Sequence, residues 1–353
     1  MIRRLRWGHA FACLLLALAL VGCSPGATSS TTASGARLAD PTVTSRAITL
    51  RTSVDLALSA HVMLLARTTG AALGVRTDEF TAFGTDVHQN ATNVADAIAP
   101  QNTEGNAQIS QTLTLFDQST LTYTTATFKK DTPGQQGAQS AMTTVYQPQM
   151  VAALGTATGV KSATVTPLVA QQIQDELQIA NDQANGNWVS ADDALNTAYQ
   201  HAVAFGDALA RAEAKRSPRQ YPGNAASKAA GFRVLYETQL QEQAYQTAMV
   251  EGAAVGQRTA EQQAAAQAQS AAVAATSQGF TTNVPTASSN TTVASGLQSS
   301  LTALYGQALA YAQAAAGKQP TTAPQAGLQQ TFPGYYLQLA HGTLGVKPES
   351  SNS

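Results

Sequence analysis

Histidine and cysteine are the residues here with the chemistry to hold a metal, carry a lipid or move a proton, and both are scarce. Cysteine occurs at Cys13 and Cys23, and histidine at His9, His61, His88, His201 and His341. Two or three imidazoles converging with a carboxylate can bind a divalent transition metal. If two helices meet in a turn near residue 75, His61 lies about 14 residues before it and His88 about 13 after it, so antiparallel packing brings both rings near one level. His61 falls on the Val54, Leu58 and Leu65 face, and His201 on a separate helical stretch could join them. Asp86, Asp117 or Asp207 could complete the set. The candidate metal ligands are therefore His61, His88 and His201; the alternative is that they are boundary histidines satisfied by hydrogen bonds. Ferritin-like di-iron bundles place Glu and His three residues apart. None of His61, His88, His201 or His341 has a carboxylate three residues earlier.

Catalytic signatures are absent from the sequence. There is no GxSxG, HExxH, GxGxxG or Walker A pattern, and Gly317-Lys318 lacks the upstream glycine a phosphate loop needs. The chain carries 20 Lys and Arg against 21 Asp and Glu over 353 residues, with no basic stripe, so nucleic acid is not an expected partner. No cofactor is expected either. Charged residues make up 12%, about half the usual ~25%. Alanine dominates the apolar share and Gln, Thr and Ser fill polar positions. That composition suits bundled helices with small-residue packing better than sheets.

The two cysteines have a different setting from the histidines. Residues 1–22 open on Met-Ile-Arg-Arg-Leu-Arg, continue through an apolar run from Ala10 to Val21, and close on Gly22 before Cys23. This is the layout of an export signal. The apolar run has 12 residues, short of the ~20 that span a bilayer. Leu20-Val21-Gly22-Cys23 resembles the lipobox of bacterial lipoproteins, and the resemblance implies a lipid on the Cys23 thiol and cleavage that leaves Cys23 first. Cys13 would leave with the signal, so the mature chain keeps one thiol and no disulfide or Cys-based zinc site is possible. Two or more acyl chains anchor stably where one does not. The expected location is therefore extracytoplasmic, held to a membrane through Cys23. Losing Arg3, Arg4 and Arg6 leaves 17 basic and 21 acidic groups, a formal charge of −4. Residues 23–46 read as the lipidated cysteine and a Ser/Thr/Gly/Pro-rich tether reaching roughly 25 Å.

An internal repeat organises the rest. Residues 50–82 placed on 232–264 without a gap match at 11 of 33 positions, densest where Gly-x-x-x-Gly-x-Arg-Thr-x-Glu occurs at 70–79 and at 252–261. A second stretch, shifted six residues further, pairs Leu113, Leu121, Tyr123, Ala126 and Lys130 with Leu301, Leu309, Tyr311, Ala314 and Lys318. The dense match predicts a corner in which Gly74 or Gly256 takes the left-handed conformation and Thr77 or Thr259 caps the next helix. Phe80, Phe83, Val87, Ala91, Val94 and Ile98 recur at helical spacing and predict one apolar face. Further helices are expected at about 108–130, 135–155, 164–185, 191–215, 227–255, 259–278, 292–317 and 324–342.

The fold class is thus all-α, two tandem antiparallel helical-bundle units at 47–218 and 222–345, with a frayed tail at 346–353. The body loosely resembles a group of poorly characterised exported bacterial helical proteins built from paired helices with a His-Val pair in the first, here His61-Val62. The group's aromatic neighbour is replaced by Ser59-Ala60, and Gln243 stands at the place of His61 in the second repeat. Together these features lead to the expectation of a non-enzymatic helical binding or scaffold module at the cell envelope. The alternative is a ferritin-like metal-binding bundle using His61 and His88.

Overall fold

Small hydroxyl side chains explain how so polar a sequence fills a helical interior. In the first helix the buried Thr52, Ser59 and Thr68 donate back to the carbonyls of Ile48, Asp55 and Leu64, one turn earlier, so the hydroxyls enter the core already paired. The computed structural model describes residues 45–283, 291–317 and 319, and the regular elements among them are all helical. Cys13 and Cys23, the signal, nearly all of the tether, the helix expected at 324–342 and the tail lie outside the described residues.

The elements are α1 Arg46–Leu73, α2 Thr77–Ile98 and α3 Thr103–Lys129. Next, α4 passes through Thr132–Ala141, a π-helical turn at Met142–Tyr146 and Gln147–Thr158. There follow α5 Ser162–Ala184, α6 Trp188–Arg216, α7 Lys228–Val255, α8 Thr259–Asn283 and α9 Thr291–Ala316. Side-chain caps set four of the described starts. Ser45 accepts from the Ile48 amide, Ser227 from Ala230, Asn102 from Gly105 and Asp131 from Gly134.

Helix α1 is the hub, packed on α2, α6 and α7 and more lightly on α3 and α5. It is long and apolar enough to cross a membrane, but 72% of its most apolar window is buried inside the fold, which is how a core helix reads. The main core joins Val54, Leu58 and Leu65 of α1 to Val94 and Ile98 of α2, Ile109 and Phe116 of α3, Tyr146, and Leu195 and Leu209 of α6. Gly206 lets α6 and α1 touch backbone to backbone: a side chain there would stand 2.9 Å from the Asp55 Cα. A smaller core of Val273, Leu297 and Leu301, with Phe232, Tyr236 and Leu240 against it, lies among α7, α8 and α9. The described helices fall within one compact unit, with α1 packed on α7 and α6 on α8.

Both expected corners are present, since helices end at Leu73 and Val255 and restart at Thr77 and Thr259. Their chemistry departs from expectation in two ways. The positive φ falls on Val75 (52°) and Gln257 (56°), whereas Gly74 and Gly256 sit at −77° and −79°. The glycines are needed for space, because a Cβ on either would overlap the guanidinium of Arg76 or Arg258 folded over it. Thr77 is the first residue inside α2 and makes no cap, the N-cap position being Arg76 with no side-chain bond to the backbone. The predicted face of α2 also shifts. Phe80 is exposed, while Asn90 and Ala95 join Val87, Ala91, Val94 and Ile98 in the interior.

Candidate functional site

The chemistry predicted for His61 depends on what its ring faces. His61 is buried between α2 and α3, with Nδ1 3.0 Å from Asn90 Oδ1 and Nε2 2.9 Å from Asp117 Oδ1. Asp117 accepts from the Nε2–H, and with the Asn90 oxygen turned toward Nδ1 that nitrogen can donate as well, an arrangement that favours the imidazolium. Burial alone would lower its pKa, but the Asp117 carboxylate and the two hydrogen bonds raise it. An imidazolium with both N–H groups engaged has no lone pair to offer a metal. Beyond Asp117 lies Glu176, buried with both carboxyl oxygens unpartnered among the described residues. Burial, then Asp117 and Asp175, push its pKa well above the usual carboxylate range, which favours the protonated acid.

The other predicted ligands do not converge on this histidine. His88 is on the exposed side of α2. His201 is exposed on α6 and its Nδ1 lies 2.9 Å from Asp175 Oδ2. Asp207 pairs with Arg51 and with Arg211 (2.9 Å), and Asp86 is exposed. Among the described residues no group of three or more His, Cys, Asp and Glu could hold a metal ion. Of the carboxylates considered, Asp117 alone meets His61, and it meets it as the partner of an ion pair.

A second constellation stands where the two corners meet. Arg76 Nε donates to Glu79 (2.9 Å) and its NH1 lies 3.5 Å from Glu261; Arg258 Nε donates to Glu261 (2.7 Å) and NH1 to Glu79 (3.3 Å). Each arginine thus pairs with its own hairpin's glutamate and with the other's. Beside this quartet runs a groove of about 510 Å³, mouth included, lined also by Arg67, Phe83, Gln183, Trp188, Asp192 and Met249. Gln183 is fixed to α1, accepting from the Thr69 hydroxyl (2.7 Å) and donating to the Ala66 carbonyl (2.9 Å). Arg67 is partly buried, with its guanidinium carbon 4.1 Å from the centre of the Phe83 ring. It makes no hydrogen bond or ion pair with any described residue. Burial holds its pKa down, to about 10; Glu79 and Tyr245 oppose that shift while Arg258 and Arg76 add to it. Asp192 is pushed up to about 7 by burial and then by Asp193 and Glu261.

Comparison with known families, with curated proteins and with solved structures finds nothing that matches the chain. The internal likeness is therefore the most useful reference. Carried along the alignment of 50–82 on 232–264, His61 falls on Gln243, Asn90 on Ala272, Arg67 on Met249 and Phe83 on Ala265; the stretch shifted by six places Asp117 on Tyr305. The buried Gln243 amide donates to the Ala272 carbonyl (3.4 Å) and to the Thr276 hydroxyl, and its oxygen accepts from Tyr305 (2.6 Å). Corresponding residues thus touch corresponding residues.

Sequence reasoning did not single out Arg67, Asn90 or Glu176. A signal for Arg67 was available: a cation directly after Leu64-Leu65-Ala66 on a core helix, where the aligned hairpin has methionine. Glu176 carried no local signal, since its burial depends on α3 and α4 closing over α5.

Proposed function

We propose that this chain is an exported lipoprotein, attached to a membrane through lipid on Cys23, and that its helical body is a non-enzymatic binding module at the cell envelope. The observation that carries the anchor is Leu20-Val21-Gly22-Cys23 at the end of an apolar run, with Cys23 the one thiol left after cleavage. The first described helix begins at Arg46, and in this reading the Ser/Thr/Gly/Pro-rich stretch before it holds the body off the bilayer. Two features of the body favour binding over catalysis. His61 has both nitrogens committed to its own fold, and the groove at the double corner presents an arginine that makes no hydrogen bond or ion pair with any described residue. In the same reading α1–α3 and α7–α9 are copies of one unit, with α4–α6 between them.

Cys23→Ala tests the anchor. The variant is expected to leave the membrane fraction or to accumulate unprocessed, and mass spectrometry of the wild-type protein should find a lipid-modified Cys23 at the mature N-terminus. An unmodified mature N-terminus at any other residue would overturn the proposal.

A further inference from the structure

We propose that the groove at the double corner binds a carboxylate joined to a compact apolar group, with Arg67 gripping the carboxylate. The inference deepens the reading of the body as a binding module by naming the ligand class. It is independent of the Cys23 anchor.

Charge balance singles out Arg67. The groove holds three guanidinium groups, and two of them, Arg76 and Arg258, are cross-paired with Glu79 and Glu261. Arg67 is left over, and it is the cation with no counterpart in the second hairpin, where Met249 takes its place. A guanidinium carries five N–H donors, and burying them without acceptors is costly. Arg67 is partly buried and stacked on Phe83, with none of its donors bonded to a described residue, so those donors face the groove and are open to an incoming acceptor. This side chain lacks an acceptor, and the groove is where one can enter.

The surroundings choose the kind of anion. A carboxylate offers two oxygens in a plane, matching a guanidinium fork, and brings a single negative charge into a groove where Glu79 and Glu261 are already held by Arg76 and Arg258 and Asp192 is pushed up to about 7 by burial. A phosphate dianion would be repelled by Glu79, Glu261 and Asp192, all of which line the groove. Phe83, Trp188 and Met249 supply the apolar wall for whatever carries the carboxylate. Two sources present this chemistry, a free small acid and the C-terminal end of a peptide with an apolar last residue.

The test uses the full-length protein in detergent micelles, titrated with benzoate by calorimetry. Saturable one-to-one binding is expected with a Kd on the order of 1 mM. Arg67→Met should weaken it about tenfold or more without lowering the melting temperature, because it replaces an unpaired cation by the residue found in the second hairpin. Arg67→Lys should also weaken it, since an ammonium keeps the charge and loses the fork. Benzamide should bind about tenfold more weakly than benzoate, and inorganic phosphate should not compete. Acetyl-Gly-Gly-Phe displacing benzoate would assign the site to chain ends, and its failure to compete would assign it to small acids. The proposal is overturned if benzoate does not saturate at about 50 mM, if Arg67→Met binds as the wild type does, or if benzamide matches benzoate. Those results would leave the anchor standing, because Cys23→Ala is read by fractionation and should bind benzoate normally.

Discussion

Midway along the first hairpin a histidine is held between Asn90 and Asp117, while at the matching level of the second a glutamine is held by Ala272, Thr276 and Tyr305. The frames are alike down to the corners, where Val75 and Gln257 take the same left-handed turn and Arg76 and Arg258 fold over the same glycines. The contents differ in charge. One hairpin buries a His–Asp pair beside Glu176, whose pKa burial raises, and the other satisfies the same geometry with an amide and a hydroxyl. At the aligned level of the two hairpins one position is filled by an ionisable set and the other by a neutral one.

The largest expected effect comes from breaking the charged side of this comparison. His61→Gln should leave Asp117 buried without its counter-charge and cost about 3–5 kcal/mol, seen as a lowered denaturant midpoint. Adding Asp117→Asn should restore most of that loss. Tyr305→Phe in the second hairpin strands only the Gln243 oxygen and should cost about 1–3 kcal/mol. If the two single variants cost the same, the charge difference between the hairpins is energetically silent.

Next in size is the dependence on pH. Burial pushes Asp55 up to about 9, with Asp207 adding to the shift and Arg51 opposing it, and neither Asp55 oxygen has a hydrogen-bond partner among the described residues. Glu176 moves the same way by burial. Glu242 and Glu251, both on α7, rise to about 7 through burial, as Asp192 does. A group whose folded pKa lies above its unfolded one contributes stability that is complete below the unfolded value and lost as pH rises through the folded value. His61 has the same sign. The melting temperature should therefore fall between pH 5 and pH 9, by about 5 °C or more. In Asp55→Asn the portion of that fall above pH 7 should become shallower, because Asp55 no longer titrates there while Glu176, raised by burial, still does. A melting temperature that climbs from pH 5 to pH 9 would contradict these protonation states.

The smallest effect is at the corners. Val75 is β-branched, 82% exposed, and sits at φ 52°, a conformation that suits Asn or Gly far better. Val75→Asn should stabilise by about 1 kcal/mol, and Gln257→Asn by less, since glutamine is not branched at Cβ. Equal gains at both sites would show that branching is not what strains the first corner.

The sequence made the helices and both corners legible because apolar spacing and the recurring Gly-x-x-x-Gly-x-Arg-Thr-x-Glu are local signals. It misassigned the left-handed residue, since Gly74 serves the packing of Arg76 and only the folded side chain reveals that. It placed His61 on a buried face but supposed His88 would turn toward it. Helix α2 instead presents Asn90, two residues on and about 200° around the helix, to the histidine. Asp117 was among the carboxylates in view, yet its role as counter-ion needed the meeting of α1 and α3. Arg67 needed the meeting of both hairpins, a contact no local pattern encodes.

The most direct test of the difference between the hairpins is a nitrogen-detected NMR spectrum of the His61 imidazole at pH 6, recorded before and after adding zinc. Two protonated ring nitrogens, unchanged by the metal, are expected of a histidine locked between Asn90 and Asp117. A single protonated nitrogen, or loss of the Nε2 proton when zinc is added, would show that the first hairpin holds a free ligand where the structure holds an ion pair.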